Sequence, residues 1–319
     1  MSGQPAREWT DDPAADRILD VVADVAPEIR AALPDRRAAL DGENPTGDRT
    51  YDADDYADEL LADRLVDCDA VAAYASEERA GQLEGAGGGS GAGGENGAGG
   101  ENGDGHENGD GGDADAYHVA VDPLDGSSNL RSNNPMGTIV GVYDAPLPAA
   151  GTDLVAAAVV LYGPNTTMLV ADGDGVGETL LDGGDRRLLD ADVSLPADPT
   201  VYGFGGRRPD WPPAVRSVVE SFEADRLKLR YGGALVADVA QVLTHGGVFA
   251  YPELADRPEG KLRYYFECAP IGFLVESAGG RVSDGDGPLL DAAPESLHAR
   301  TPFYVGNASL VDRIESELA

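Results

Sequence analysis

The stretch of this chain richest in reactive groups is Asp122-Pro123-Leu124-Asp125-Gly126-Ser127-Ser128-Asn129. Before it, Tyr117 to Val121 alternates β-branched with smaller or polar side chains and reads as a strand. After it, Gly137 to Tyr143 is a second apolar run. Two carboxylates therefore stand where a strand ends. Pro123 fixes φ and has no N–H, which stops the ladder. Gly126 permits a tight turn, and Ser127, Ser128 and Asn129 are helix-capping types. Such a turn aims backbone N–H groups at an anion, beside carboxylates that can hold hard cations. That is chemistry of a metal with a phosphate. A lone Asp-x-x-Asp pair is most simply a surface turn, whereas the full string is far more specific.

A second acidic pair closes the run Val71-Ala72-Ala73-Tyr74-Ala75-Ser76-Glu77-Glu78, which reads as a short strand. Adjacent carboxylates on an extended segment point to opposite faces, so one can bind metal while the other faces a water. Taken alone, they are most simply two exposed glutamates.

The elements that must carry these groups are legible in part. Ile18, Val21, Val22, Val25, Ile29 and Leu33 recur at helical steps between Ala14 and Leu40, giving one or two amphipathic helices interrupted near Pro27 and Pro34. Asp41 to Asp55 reads as an acidic loop, and Tyr56 to Val66 as a helix. Residues 84–116 are low-complexity Gly, Asn, Asp, Glu and Ala, unable to bury a core, and are expected to be a disordered insertion dispensable for activity. Short apolar runs from 151 to 190, separated by Gly and Asp turns, predict an antiparallel sheet. A polar, proline-containing stretch puts a domain boundary near Leu195. Beyond it, strands at 201–204 and 245–252 alternate with helices at 213–222, 234–243 and 270–278, an α/β pattern.

With 319 residues there is room for a large core. The 23 basic and 58 acidic side chains leave a formal charge of −35, which argues against nucleic acid or an anionic membrane as partner. Phosphate sites must then come from local cations. Lysine occurs only as Lys228 and Lys261. Dense acid with little lysine resembles proteins adapted to high cytoplasmic salt, where short Debye lengths screen self-repulsion. Cys68 and Cys268 show no zinc or C-x-x-C spacing and are expected to be buried thiols in a reducing cytoplasm. No apolar run reaches membrane-spanning length, and no signal pattern opens the chain.

The string Asp122–Asn129 resembles the metal- and phosphate-binding signature of the fructose-1,6-bisphosphatase family, within the lithium-sensitive sugar and inositol phosphatases. Ser76-Glu77-Glu78 matches it too. So do Arg230-Tyr231 with the following glycine pair and Val236-Ala237-Asp238-Val239, Gly246 to Pro252, Gly260-Lys261-Leu262-Arg263, Phe266-Glu267-Cys268-Ala269-Pro270 and Glu276 to Gly280. Inositol monophosphatases carry Trp-Asp where this chain has Phe266-Glu267. Thr46-Gly47-Asp48 and Asp54 resemble the family's mobile loop.

The resemblance implies an α/β sugar-phosphatase fold of alternating helix and sheet layers, an αβαβα sandwich. Residues 1–195 would form the metal- and phosphate-binding domain and 196–319 the substrate-binding domain. It implies hydrolysis of fructose 1,6-bisphosphate at the 1-phosphate in gluconeogenesis. A sedoheptulose-1,7-bisphosphatase, a broader sugar phosphatase and a non-catalytic sugar-phosphate binder are the alternatives. Two or more Mg²⁺ ions, or Mn²⁺, would be held by Glu77, Asp122, Asp125, Glu267 and the Leu124 carbonyl. Glu78, Asp54 and Asp48 would handle the attacking water. Gly126, Ser127 and Ser128, with Arg263 and a second contact from Asp125, would hold the 1-phosphate side. Tyr231, Tyr251 and Lys261 would hold the 6-phosphate and sugar, with Arg230 reaching across a homodimer or homotetramer interface. Two departures stand out. Gly205-Gly206-Arg207-Arg208 replaces the family's Asn-Glu-Gly-Tyr, with Arg208 offered as a substitute donor. Ala116 and Asp144 stand where AMP-binding relatives carry Lys and Arg, so AMP inhibition is expected to be weak or absent.

Overall fold

Apolar spacing near the N-terminus builds the outermost layer. Helix α1 (Pro13–Ala32) starts at Asp12, whose carboxylate accepts the Ala14 and Ala15 amides, and buries Ile18, Leu19, Val22, Val25, Ala26 and Ile29. It runs unbroken through Pro27, contrary to the interruption expected there. A proline inside a helix costs about 3 kcal/mol, but each large apolar side chain buried returns about 1.5–3 kcal/mol, and this face buries several. Only at Leu33–Asp35 does the helix tighten into a 3₁₀ turn, at Pro34.

The computed structural model describes residues 9–45, 47, 49–88 and 116–319. Strands β1 (Ala39–Glu43) and β2 (Arg49–Tyr51) pair antiparallel where the sequence reads as the end of the helical stretch and then a loop, and α2 (Asp52–Val66) begins earlier than its apolar pattern. Then follow β3 (Val71–Ser76), β4 (Leu83–Glu84), β5 (Tyr117–Asp125), β6 (Met136–Tyr143), β7 (Leu154–Tyr162), β8 (Thr166–Ala171), β9 (Val176–Asp182) and β10 (Asp185–Asp190). They form one sheet in the order β10-β9-β8-β7-β6-β5-β3-β4. Every pairing is antiparallel except β3 with β5, whose parallel register sets Ser76 beside Val121. The ends of those two strands carry both acidic motifs, so one parallel pairing brings them together. The expected insertion begins later than composition indicates. Residues 84–88 are bound to the sheet, with the Gly85 amide on Ala72 O and the Gly87 amide on Val71 O, each 2.9 Å. Residues 89–115 lie outside the described residues.

The second half contains β11 (Val201–Phe204), α3 (Pro213–Ala224), β12 (Lys228–Leu229), α4 (Leu235–His245), β13 (Gly247–Tyr251), β14 (Leu262–Arg263), α5 (Ala269–Ser277), β15 (Arg281–Ser283), β16 (Arg300–Thr301), β17 (Phe303–Gly306) and α6 (Ala308–Leu318). Its main sheet runs β12-β11-β13-β17-β15. Period-two alternation sorts the strands between cores. Tyr74, Val119, Val121, Val140 and Val142 face α1 and α2. Ala75, Ala120 and Ile139 face α4 and α5, as do Phe249, Phe303 and Val305 of the second sheet. Tyr202, Phe204, Val248 and Tyr304 face α3 and α6. The layers are therefore helix, sheet, helix, sheet, helix, as the resemblance implies. Cys68 is half-buried, Cys268 is buried, and both are free thiols. Among the described residues no helix is long and apolar enough to cross a membrane.

Candidate active site

Glu77, Asp122 and Glu267 meet where β3 and β5 end and the second half begins. One carboxylate oxygen from each lies within 4.8 Å of the others. Glu77 follows β3 and donates its amide to Val121 O at 3.0 Å, which locks it against β5. Asp122 lies in β5 and accepts the Leu124 amide at 3.0 Å, so the carboxylate holds its own turn. Glu267 sits in a π-helical turn, Tyr264–Cys268, just before α5. Such turns are rare and frequent at functional sites. Its Oε2 accepts the Arg263 amide at 2.6 Å.

Charge at this point is unbalanced. Burial pushes the Glu77, Asp122 and Glu267 carboxyls above their ordinary range; Glu77 adds to the rise of the other two, and the Arg263 cation opposes all three shifts. Arg263 is itself only 5% exposed. Its guanidinium lies 2.8 Å from Glu77 and 3.8 Å from Glu267. The expected phosphate ligand is thus an integral member of the carboxylate cluster. Three buried oxygen donors against one guanidinium are a set suited to divalent cations, which favour carboxylate oxygen.

Asp125 takes a different place from its three partners. Its Oδ2 accepts the Val236 amide at 2.8 Å, and the Leu235 amide bonds it too, so it caps α4. Burial raises its pKa, and Glu267 adds to the rise. It lies outside the three-carboxylate group, and four-way convergence was the expectation. Leu124 is buried between the two aspartates. Gly126 adopts φ 75°, and a Cβ there would lie 2.3 Å from Ala234 Cβ, so the turn and its approach to α4 both need glycine. Ser127 and Ser128 open the 3₁₀ turn Ser127–Arg131.

Asp54, on the first turn of α2, is 4% exposed. It accepts the Tyr51 amide at 2.7 Å and the Ser127 hydroxyl. Burial lifts its pKa to about 7, with Glu77 contributing, against those two hydrogen bonds. The water-handling candidate and the expected phosphate-binding turn therefore touch. Glu78 lies next to Glu77, half-buried, its amide 3.2 Å from Ser76 Oγ. Asp48 lies outside the described residues.

Tyr231, Tyr251 and Lys261 gather as expected. The two tyrosines hydrogen-bond side chain to side chain, and Lys261 Nζ lies 3.3 Å from the Tyr251 hydroxyl. Tyr231 stacks on Phe249 and is exposed on its other side. Arg230 is exposed at the end of the edge strand β12. Arg208 does not join them. It pairs with Glu220 at 2.8 Å on α3, where two glutamates present a local negative field. Gly205 explains the departure in that segment: a Cβ would lie 2.3 Å from the Tyr251 ring, so the bare backbone lets the ring lie over it.

Four further residues belong to the site, two of which, Asn129 and Asp238, stand inside the quoted motifs. Asn44 reaches Glu77 Oε1 at 3.4 Å. Asn129 binds the carbonyls of Pro135 and Gly232, each at 2.9 Å, tying the motif turn to the segment after Tyr231. Asp238 is buried and accepts the Gly232 amide at 2.6 Å; burial raises its pKa to about 6. His298 Nε2 donates to Arg79 O at 2.8 Å, behind the Glu77–Glu78 turn. The motif positions of Asn129 and Asp238 gave a signal; Asn44 and His298 are brought in by chain segments far apart in sequence.

A five-layer α/β fold with buried acids at strand ends beside a Gly-Ser turn defines the class of metal-dependent phosphate-ester hydrolases. Profiles described as the fructose-1-6-bisphosphatase N-terminal and C-terminal domains match residues 101–186 and 195–319. Fructose-1,6-bisphosphatase class 1 of Natronomonas pharaonis is 53% identical over 96% of this chain and 99% of its own. That of Halobacterium salinarum is 50% identical over 95% and 96%. The crystal structure of Leishmania major fructose-1,6-bisphosphatase in holo form superposes with TM-score 0.84 at 26% identity, covering 97% of this chain and 95% of that one. This chain belongs to the fructose-1,6-bisphosphatase class 1 family, and the archaeal relatives named here are halophiles.

Proposed function

We infer that this chain is a fructose-1,6-bisphosphatase, a phosphoric monoester hydrolase that releases the 1-phosphate of fructose 1,6-bisphosphate in gluconeogenesis. The observation that carries this reading is the meeting of Glu77, Asp122 and Glu267 within 4.8 Å, beside the Gly126 turn. Mg²⁺ is the cation best matched to this all-oxygen set, with Mn²⁺ able to replace it. Glu77, Asp122 and Glu267 would hold it, joined by the Leu124 carbonyl and the Asp125 carboxylate. Bound there, a divalent cation supplies Lewis-acid polarisation of phosphoryl oxygen and water.

The protein's own groups do the rest. Glu78 and Asp54 orient the attacking water and accept its proton, Asp54 being suited by a pKa of about 7. Asp48 would assist from the loop. Amides around Gly126, Ser127 and Ser128 would face the 1-phosphate, and Arg263 limits the negative charge it must approach. Tyr231, Tyr251 and Lys261 would bind the 6-phosphate and sugar, with Arg230 completing this pocket in a neighbouring subunit of a homodimer or homotetramer. We place the metal- and phosphate-binding domain at 1–195 and the substrate domain at 196–319, and the enzyme in the cytoplasm, where its free thiols would stay reduced. The test is phosphate release from fructose 1,6-bisphosphate in molar KCl with and without Mg²⁺. Mg²⁺-dependent turnover is expected; folded protein inert with both Mg²⁺ and Mn²⁺ overturns the reading.

A further inference from the structure

Behind the Glu77–Glu78 turn lies a buried polar arrangement that the reaction does not itself require. Asp58 is 4% exposed in the middle of α2. One of its oxygens accepts the Tyr74 hydroxyl at 2.9 Å, and Tyr74 is on β3 just before the turn. The other lies 2.7 Å from Arg79 Nε, immediately after the turn. Asp58 thus grips the segment bearing Glu77 and Glu78 at both ends. It stands one helical turn beyond Asp54, on the same face of α2. A buried carboxylate with a hydroxyl and a guanidinium on it is costly to break, which makes it a stiff link.

We propose that Asp58 is a positioning residue that holds the Glu77–Glu78 turn in register with Asp54, and so sets both the affinity for the divalent cation and the placement of the attacking water. The proposal rests on the reading of the site given above. Among the described residues Asp58 is the α2 side chain paired with Arg79, while His298 secures the Arg79 carbonyl from the opposite side. Loosening Asp58 should let the turn drift without dissolving it. Residues that orient metal ligands typically change metal affinity or activity about 10–100-fold when altered.

The test compares wild type, Asp58→Asn, Arg79→Gln and the double variant, each checked for folding by circular dichroism in molar KCl. Asp58→Asn keeps an oxygen for Tyr74 but loses the charge that holds Arg79. Mn²⁺ titration by calorimetry reads affinity without turnover; steady-state kinetics read kcat and KM. Expected are Mn²⁺ dissociation constants raised about tenfold or more, kcat lowered similarly, KM for the sugar bisphosphate within about twofold, and a double variant no worse than the worse single. Wild-type Mn²⁺ affinity and kcat in folded Asp58→Asn, or fully additive effects in the double variant, overturn the proposal. Should Asp58→Asn not fold, Arg79→Gln decides by the same criteria, its side chain being 31% exposed and its loss tolerable. Wild-type protein without phosphatase activity would remove the functional reading, while the Mn²⁺ titrations would still decide the link.

Discussion

Asp125 Oδ2 lies 2.8 Å from the Val236 amide, so a strand of the first sheet caps a helix shared with the second. The same carboxyl is a candidate cation ligand, and the two roles separate by substitution. Asp125→Asn keeps an acceptor for the Val236 amide and removes a buried charge. It should leave thermal stability unchanged or raised while abolishing most Mg²⁺-dependent turnover. Asp125→Ala removes the cap as well and should cost about 1 kcal/mol or more of stability. Calorimetric melting of both variants checks this; equal destabilisation by Asn and Ala would show that the cap contributes nothing.

The buried acids make the metal-free protein sensitive to pH. Asp54 and Asp238 are pushed up to about 7 and about 6, chiefly by burial, and Glu77, Asp122 and Glu267 are raised as well. A carboxyl raised on folding binds more protons in the native state than in the unfolded one. Its stabilising contribution is full below the unfolded carboxylate range, near pH 4, and is lost as pH rises through about 6–7. In EDTA and molar KCl, Tm should fall between about pH 5 and pH 8, and excess Mg²⁺ should remove most of the fall. A melting temperature that rises over this window in EDTA would contradict the assignment of these acids as buried and raised.

Much of this site was legible because its chemistry is local in sequence. Asp122 to Asn129 announces a strand end and a turn in one string, although the strand runs through Pro123 to Asp125 and Gly126, not a Ser or Asn side chain, heads the 3₁₀ turn; Ser76-Glu77-Glu78 marks the end of β3. What stayed hidden is pairwise and long-range. Nothing in the string around Arg263 says that it sits against Glu77, or that Arg208 finds glutamates on α3 instead of a phosphate. Asp125 could be read as a ligand, but not as the cap of a helix more than a hundred residues away. The hairpin of β1 and β2 escaped because its strands are short and flank the turn formers Asn44 to Asp48, and α1 crosses Pro27 because packing outweighs one lost hydrogen bond.

Gly205 tests how the sugar side is shaped. A methyl group there would sit 2.3 Å from the Tyr251 ring, and Tyr251 is bonded to Tyr231 and Lys261. Gly205→Ala should force the ring to move and raise KM for fructose 1,6-bisphosphate by about tenfold, with kcat changed far less, because the carboxylates are not touched. Equal loss in kcat with unchanged KM would place Tyr251 outside the binding pocket.

Surface charge sets the last expectation. Of 58 acidic and 23 basic side chains, many arginines are already paired, as Arg17 with Asp69, Arg186 with Asp20 and Asp24, and Arg281 with Asp312 and Glu315. The acids still outnumber the bases by 35. At about 0.01 M salt the Debye length is about 30 Å and repulsion spans the molecule; at about 1 M it is about 3 Å and neighbouring acids scarcely interact. Tm should therefore climb steeply from dilute buffer to molar KCl, with unfolding in low salt at room temperature. Sucrose at matched osmolality excludes itself from the surface but screens nothing, so it should recover far less. Equal recovery by sucrose, or full stability in dilute buffer, would mean that charge repulsion is not what limits this fold.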